Sequence, residues 1–182
     1  VDLVYAPDVD EVYPDGFGTT VAVGGGLTHV LDGDPGRRGR EHFSGVTTVA
    51  VDVAIAGAGL PGMALAVALA HAGLRVALVD RAPIALPEFD PATWDARVYA
   101  VSPGSARFLH TTGVWQALPP DRMTAIEAMH LVGDGGASLD FSAYDMNERA
   151  LAWIVEERSL RAALLSQVRA AGVEVIGQAP FV

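Results

Sequence analysis

A strand, a glycine turn, a helix and a second strand ending in an acid follow one another between residues 51 and 81. The short apolar run VAIA is followed at once by the glycine motif GAGLPG at residues 57–62. A run of good helix formers then continues to Gly73, and the strand RVALV leads to Asp80. This order predicts an α/β fold, built on a Rossmann-like βαβ unit with a parallel sheet.

Each glycine of the motif has a separate expected role in binding a dinucleotide. Gly57 permits the tight turn, Gly59 lets the backbone approach a pyrophosphate, and Gly62 lets the helix pack on the strand. The N–H groups and positive dipole end of the helix would hold the anion, so the turn needs no basic side chain.

Asp80 lies at the spacing where an acid binds the ribose of the adenosine half. An acid here argues against NADP, but the motif alone does not choose between NAD and FAD. Arg81, the next residue, is also expected to bind the cofactor. The alternative is that the glycines serve geometry alone and that Asp80 is a solvated strand end.

Composition excludes several classes of function. The chain has 182 residues, a net charge of −10 and no cysteine. The acidic balance argues against a nucleic-acid partner, and the missing cysteines exclude disulfides and thiolate chemistry. The histidines show no metal-ligand spacing, so no metal site is expected. Without a long apolar segment or a leader, a cytoplasmic location is expected.

Residues 1–49 resemble an internal segment of the pantothenate synthetase (pantoate–β-alanine ligase) family, through YAP, YPDGF and HFSGVTTV. Within this segment, VDLVYAP at residues 1–7 and TTVAV at residues 19–23 are expected to be strands. The resemblance implies that His42 matches an active-site histidine, and Arg38 or Arg40 the arginine before it. The HxGH nucleotide signature of that family is absent from this chain. The segment is therefore not expected to be an independent domain, and we expect the join near residues 48–52.

Residues 51–182 resemble the FAD-dependent aromatic monooxygenases, in the ubiquinone-biosynthesis hydroxylase branch. The resemblance rests on the glycine motif with its acid, on WDARVYAVSPGSARFLHTTGVWQAL and on IVEERSLRAALLSQVRAAGVEV. It implies FAD as cofactor, NAD(P)H as co-substrate and hydroxylation of a small aromatic molecule. It also implies that Arg97 and Arg158 lie against the FAD. Glu157 stands where the family usually has Asn.

The rest of this segment reads as mixed α/β structure. Helices are expected over 102–113 and 157–171, with Arg97 near the start of the first. Alternating runs at 125–132 and 137–141, joined by GDGG, predict a β-hairpin.

The first interpretation is a truncated FAD-dependent monooxygenase, a partial FAD-binding domain over 51–182. The chain starts at Val1 rather than Met and lacks the later Gly-Asp motif of the family, so we expect a fragment. No residue is assigned a catalytic role. Two alternatives are a ligase fragment and an inactive dinucleotide-binding module. The resemblance also suggests peripheral membrane contact or other quinone-biosynthesis proteins as partners.

Overall fold

The structure is a computed structural model that describes residues 19–24, 27–32, 47–86 and 93–179. These residues form two compact units, one holding the described residues up to Ala85 and from Val168 on, the other those between 86 and 167. The strand expected at residues 1–7, and His42 with Arg38 and Arg40, lie outside the described residues.

The described elements follow one another along the chain as strands with three helices between them. In order they are β1 (Thr19–Gly24), β2 (Leu27–Asp32), β3 (Thr47–Val51), β4 (Val53–Ala56), α1 (Leu60–His71), β5 (Val76–Val79), β6 (Val98–Val101), α2 (Pro103–Thr111), β7 (Met123–Ile126), β8 (Ala128–Val132), β9 (Ser138–Ser142), β10 (Ala152–Glu156), α3 (Glu157–Ala170) and β11 (Glu174–Ile176). Two short 3₁₀ turns, Trp115–Ala117 and Pro120–Arg122, precede β7.

The first unit contains the predicted βαβ arrangement. β5 lies between β4 and β11 in a parallel sheet, with Ile55 opposite Leu78. Helix α1 joins β4 to β5 and packs on both strands. All four β5 residues are buried, as expected for a central parallel strand. The predicted parallel sheet is confirmed.

An antiparallel sheet of β2, β1 and β3 precedes the parallel sheet. The strand expected from the run TTVAV is confirmed as β1, which pairs with both of its neighbours. Val51, the last residue of β3, is 2% exposed. It belongs to a buried cluster with Ala77, Val79 and Ala179. The main chain therefore enters the core of the first unit at Val51.

Gly62 lies where α1 crosses close to the glycine turn. A Cβ atom added to Gly62 would overlap the backbone oxygen of Gly57 and lie 3.6 Å from Cγ2 of Ile55. Since the nearest atom is backbone, the clash cannot be relieved by rotating a side chain. The predicted packing role of Gly62 therefore has a steric cause in the structure.

In the second unit, β10 lies between β6 and β7 in an antiparallel sheet. The helix expected over 102–113 is α2. The Ser102 hydroxyl caps it by accepting from the Ser105 N–H at 3.3 Å, and Gly113 after it has φ +74°. The helix expected over 157–171 is confirmed as α3.

The hairpin prediction is half right. β8 and β9 pair antiparallel, with Met129 opposite Phe141, as expected. The single strand predicted over 125–132 is wrong. The strand is interrupted at Glu127, and β7, which precedes Glu127, pairs with β10 instead. The run AIEAMHLV repeats two apolar residues and one polar residue on both sides of Glu127, so the residue pattern does not show where the first strand ends.

Two negative observations hold within the described ranges. No helix there has the length and apolar character needed to cross a bilayer. No group of three or more histidine, aspartate or glutamate side chains there could hold a metal ion.

Asp52 and Arg75 form an exposed ion pair that joins the starts of β4 and β5. One carboxylate oxygen accepts from the Arg75 N–H at 2.8 Å, and the other lies 2.7 Å from Nη2 of the guanidinium. The hydrogen bond from the Arg75 side chain, followed by that from its backbone, lowers the pKa of Asp52 from 3.8 to about 2. The pair therefore favours the folded state when Asp52 is ionised.

We expect the Asp52 contribution to stability to depend on pH. Because folding lowers the pKa of Asp52, this contribution is present above about pH 4 and is lost as the pH falls from 3.8 towards 2. In urea unfolding, Asp52→Asn should lower the midpoint at pH 7 but have little effect at pH 2. Glu174→Gln, at an exposed position of β11, is the control. A midpoint difference that persists unchanged at pH 2 would contradict the ion pair.

A second prediction separates two glycines of the same turn. Gly62→Ala should lower the free energy of unfolding by about 1–3 kcal/mol, because the added methyl meets backbone. Gly59→Ala is the matched control, since its Cβ would have nothing nearer than Cδ of Pro61 at 3.8 Å. Urea unfolding of both variants checks this, and equal losses would refute the steric account.

Candidate functional site

The glycine turn begins where β4 ends. Gly57 has φ +103°, a conformation that side chains with a Cβ rarely adopt. Its N–H donates to the Val79 carbonyl at 2.7 Å, which ties the turn to the end of β5. Gly57 is therefore needed for the shape of the turn, as the sequence predicted.

Gly59 is the N-cap residue of α1, and it is exposed. No side chain among the described residues caps this helix, and its first turn holds no acidic residue. The space beside Gly59 is open except for Pro61. No described residue would clash with a side chain at Gly59. The absence of a side chain there instead leaves space for a ligand to approach the backbone.

The carboxylate of Asp80 is held by two backbone N–H groups. One oxygen accepts from Ala58 in the glycine turn at 2.6 Å, and the other accepts from Ala82 at 2.8 Å. A carboxylate has about four acceptor positions, so each oxygen keeps one for a further donor such as a ribose hydroxyl. The structure thus gives Asp80 a second role, which the sequence did not predict: it fixes the glycine turn.

These residues fit the adenosine and pyrophosphate part of a dinucleotide. The turn lies at the carboxyl ends of the parallel strands β4 and β5, where ligands of such sheets bind. It offers an uncapped helix N-terminus for an anion and a carboxylate for hydroxyl groups. Gly57, Gly59, Gly62 and Asp80 come together here. Arg81 follows in an exposed bend.

Arg97 lies in the second unit and is exposed. Its guanidinium is 3.6 Å from the Glu157 carboxylate, and its side chain is 69% exposed. Its carbonyl accepts from the Glu157 N–H at 2.9 Å, so Arg97 lies beside the start of α3. The expected position near the start of α2 is wrong in detail, because all of β6 separates Arg97 from Ser102.

Arg158 also lies in the second unit, but it is buried. Its side chain is 9% exposed. Nε donates to Glu156 at 3.3 Å, Nη1 donates to the Thr93 hydroxyl at 3.1 Å, and Nη2 donates to the Thr93 carbonyl. All three nitrogens of the guanidinium therefore have partners within the second unit.

Glu156 is the centre of this buried cluster. Its side chain is 4% exposed, and it accepts from the Asp95 N–H at 2.7 Å and from Arg158 and Arg122. Burial would raise the pKa of Glu156, but the Asp95 N–H, Arg158 and Arg122 outweigh it and hold the pKa below its usual value. Glu156 is therefore ionised at neutral pH.

The roles of Glu156, Asp95 and Thr93 were not predicted from the sequence. The signal for Glu156 was an acid directly after the apolar run AWIV, at a place where β10 passes into α3. No local signal identifies Thr93, whose contact with Arg158 spans 65 positions.

Comparison with known proteins agrees with this geometry. The sequence model of the family described as FAD binding domain matches residues 50–178. The ubiquinone hydroxylase UbiL of Rhodospirillum rubrum is 36% identical over 120 residues, which are 64% of this chain and 27% of UbiL. The chain thus spans less than a third of the length of this relative.

The start of the chain matches a different family. The model described as pantoate-beta-alanine ligase matches residues 1–54. The pantothenate synthetase of Ruegeria pomeroyi is 53% identical over 51 residues, which are 27% of this chain and 16% of that protein. The resemblance predicted from sequence is confirmed, and it is short.

Solved structures share the fold of about 70% of this chain. The crystal structure of Pseudomonas aeruginosa PqsL in complex with 2-aminobenzoylacetate has a TM-score of 0.53 and 24% identity. The match covers 70% of this chain and 33% of PqsL, and it shows the fold alone. Because the family model covers well over half of the sequence, the chain belongs to the FAD binding domain family, with FAD as the cofactor.

Proposed function

We propose that this chain binds FAD through its glycine turn, as part of a monooxygenase that uses NAD(P)H and O₂ to hydroxylate a small aromatic molecule. The observation that carries the proposal is the bond from the Ala58 N–H to the Asp80 carboxylate at 2.6 Å. It holds the turn and the ribose-binding acid together at the carboxyl ends of two parallel strands. The similarity to UbiL suggests a ubiquinone precursor as substrate.

The residues of the first unit would bind the adenosine half. The N–H groups at the start of α1 would face the pyrophosphate, since no side chain of the described chain caps them. Asp80 would accept from ribose hydroxyls, and Gly59 would leave room for the phosphates. Arg97 is the residue of the second unit that we propose as a contact to the anionic cofactor.

FAD, when bound, supplies the redox chemistry, and the protein supplies binding, orientation and exclusion of water. No side chain of this chain is assigned a proton-transfer role. Residues 1–54 suggest a second function, ligation of pantoate. We do not assign it, because the chain has no HxGH signature to hold ATP.

The first prediction for the proposed function concerns affinity for FAD and for ADP. Gly59→Val should abolish binding, because the side chain fills the open space beside the helix start. Asp80→Ala should weaken binding by about 1.5–3 kcal/mol, roughly tenfold or more, because a hydrogen bond to a charged group is lost. Isothermal titration of both ligands measures this.

Asp52→Asn is the matched control for this prediction. Asp52 is a second carboxylate on the same βαβ unit, at the opposite end of β4, so its loss should leave ADP affinity unchanged. Circular dichroism must show that the three variants keep their fold. Equal ADP affinity in wild type, Gly59→Val and Asp80→Ala would overturn the assignment.

A further inference from the structure

Residues 93–97 are fastened to the start of α3 by main-chain and carboxylate hydrogen bonds. The Asp95 carboxylate accepts from the Arg97 N–H at 3.0 Å and from the Arg158 N–H at 3.2 Å. The Asp95 N–H donates in turn to Glu156, and the Arg97 carbonyl accepts from the Glu157 N–H. The backbone of Arg97 is thus fixed from both sides.

Arg158 strengthens the same attachment. Its guanidinium bridges the Glu156 carboxylate and the hydroxyl and carbonyl of Thr93. To bind a phosphate instead, the guanidinium would have to release a carboxylate that is almost fully buried. Removing one of the two cations that pair with a buried carboxylate is unfavourable even though Arg122 remains, so such a change is disfavoured. Arg97, by contrast, has an exposed guanidinium with one carboxylate at 3.6 Å.

We propose that Asp95, Glu156 and Arg158 are positioning residues that fix the backbone of residues 93–97, and that Arg97, rather than Arg158, is the arginine that contacts the anionic cofactor. This inference rests on the proposed function. It changes the role that family resemblance implies for Arg158, from a contact with FAD to a support for Arg97. The three residues form what we call the Glu156 clamp.

Charged groups, rather than apolar packing, hold residues 93–97 for a physical reason. Arg97 is on an exposed stretch that leads into β6, and three of the four β6 residues are exposed. Apolar burial there is too small to hold one backbone conformation. Hydrogen bonds to ionised carboxylates are stronger and more directional than neutral ones, so they can define the position of Arg97 instead.

A double-mutant cycle on FAD affinity tests the proposal. Arg97→Met and Asp95→Ala should each weaken binding by about tenfold, and the double variant should be no weaker than Arg97→Met alone. Arg97→Met should also reduce the salt dependence of binding, and Asp95→Ala should not reduce it further in that background. Asp95→Asn, which keeps one acceptor oxygen, should restore part of the affinity.

Arg158→Met is combined with Arg97→Met in a second double-mutant cycle. If Arg158→Met does not fold, the cycle with Asp95→Ala still tests the proposal. Arg107→Met is the matched control, because Arg107 is also 69% exposed and paired with a glutamate, Glu148, at 3.2 Å. It should bind FAD as wild type does. Additive losses in Arg97→Met with Arg158→Met, about a hundredfold together, would show that Arg158 contacts FAD and overturn the proposal.

Two other outcomes are distinguishable. If wild type does not bind FAD, the proposed function itself fails. If wild type binds FAD and Arg97→Met or Asp95→Ala binds equally well, the glycine turn assignment stands and the clamp proposal is wrong. Hydrogen exchange gives a reading without cofactor: Asp95→Ala should speed exchange of the Arg97 amide while leaving amides of β5 protected.

Discussion

In the first unit, the backbone and carboxylate of Asp80 connect segments that are distant in sequence. Its N–H donates to the Ile176 carbonyl and its carbonyl accepts from the Ala179 N–H, both at 2.9 Å, which joins β5 to the segment around β11. Its carboxylate holds Ala58 and Ala82. The end of a strand, the glycine turn and a later segment are therefore held by one residue. A ligand at the turn meets a surface that is already ordered.

The second unit uses charge in two ways. Arg158 is buried against Glu156 and Thr93, whereas Arg97 is exposed beside Glu157. An arginine whose donors are already satisfied inside a unit can order the backbone, but it has little left to offer a ligand. An exposed arginine costs little to redirect, because its ion pair is screened by solvent. Sequence position alone does not separate these two roles.

Local features were predictable from sequence, and long-range pairings were not. The turn at 57–62 and the limits of α2 follow from glycine, proline and capping residues that act within a few positions. The end of β7 at Glu127 was missed, because β7 pairs with β10, which is distant in sequence, rather than with β9 of the nearby hairpin. The hydrogen bond from the Ala58 N–H to the Asp80 carboxylate spans 22 positions. The spacing after the glycines predicted that Asp80 binds ribose, but it did not predict this hydrogen bond.

The central claim is that the glycine turn and Asp80 bind the adenosine half of the cofactor. Titration of ¹⁵N-labelled protein with ADP, followed by amide chemical shifts, tests it most directly. Binding at the glycine turn should give saturable shifts that are largest at the amides of residues 57–63 and at Ala82. The largest shifts in the β8–β9 hairpin, or no shifts at ADP concentrations that saturate other dinucleotide-binding domains, would contradict it.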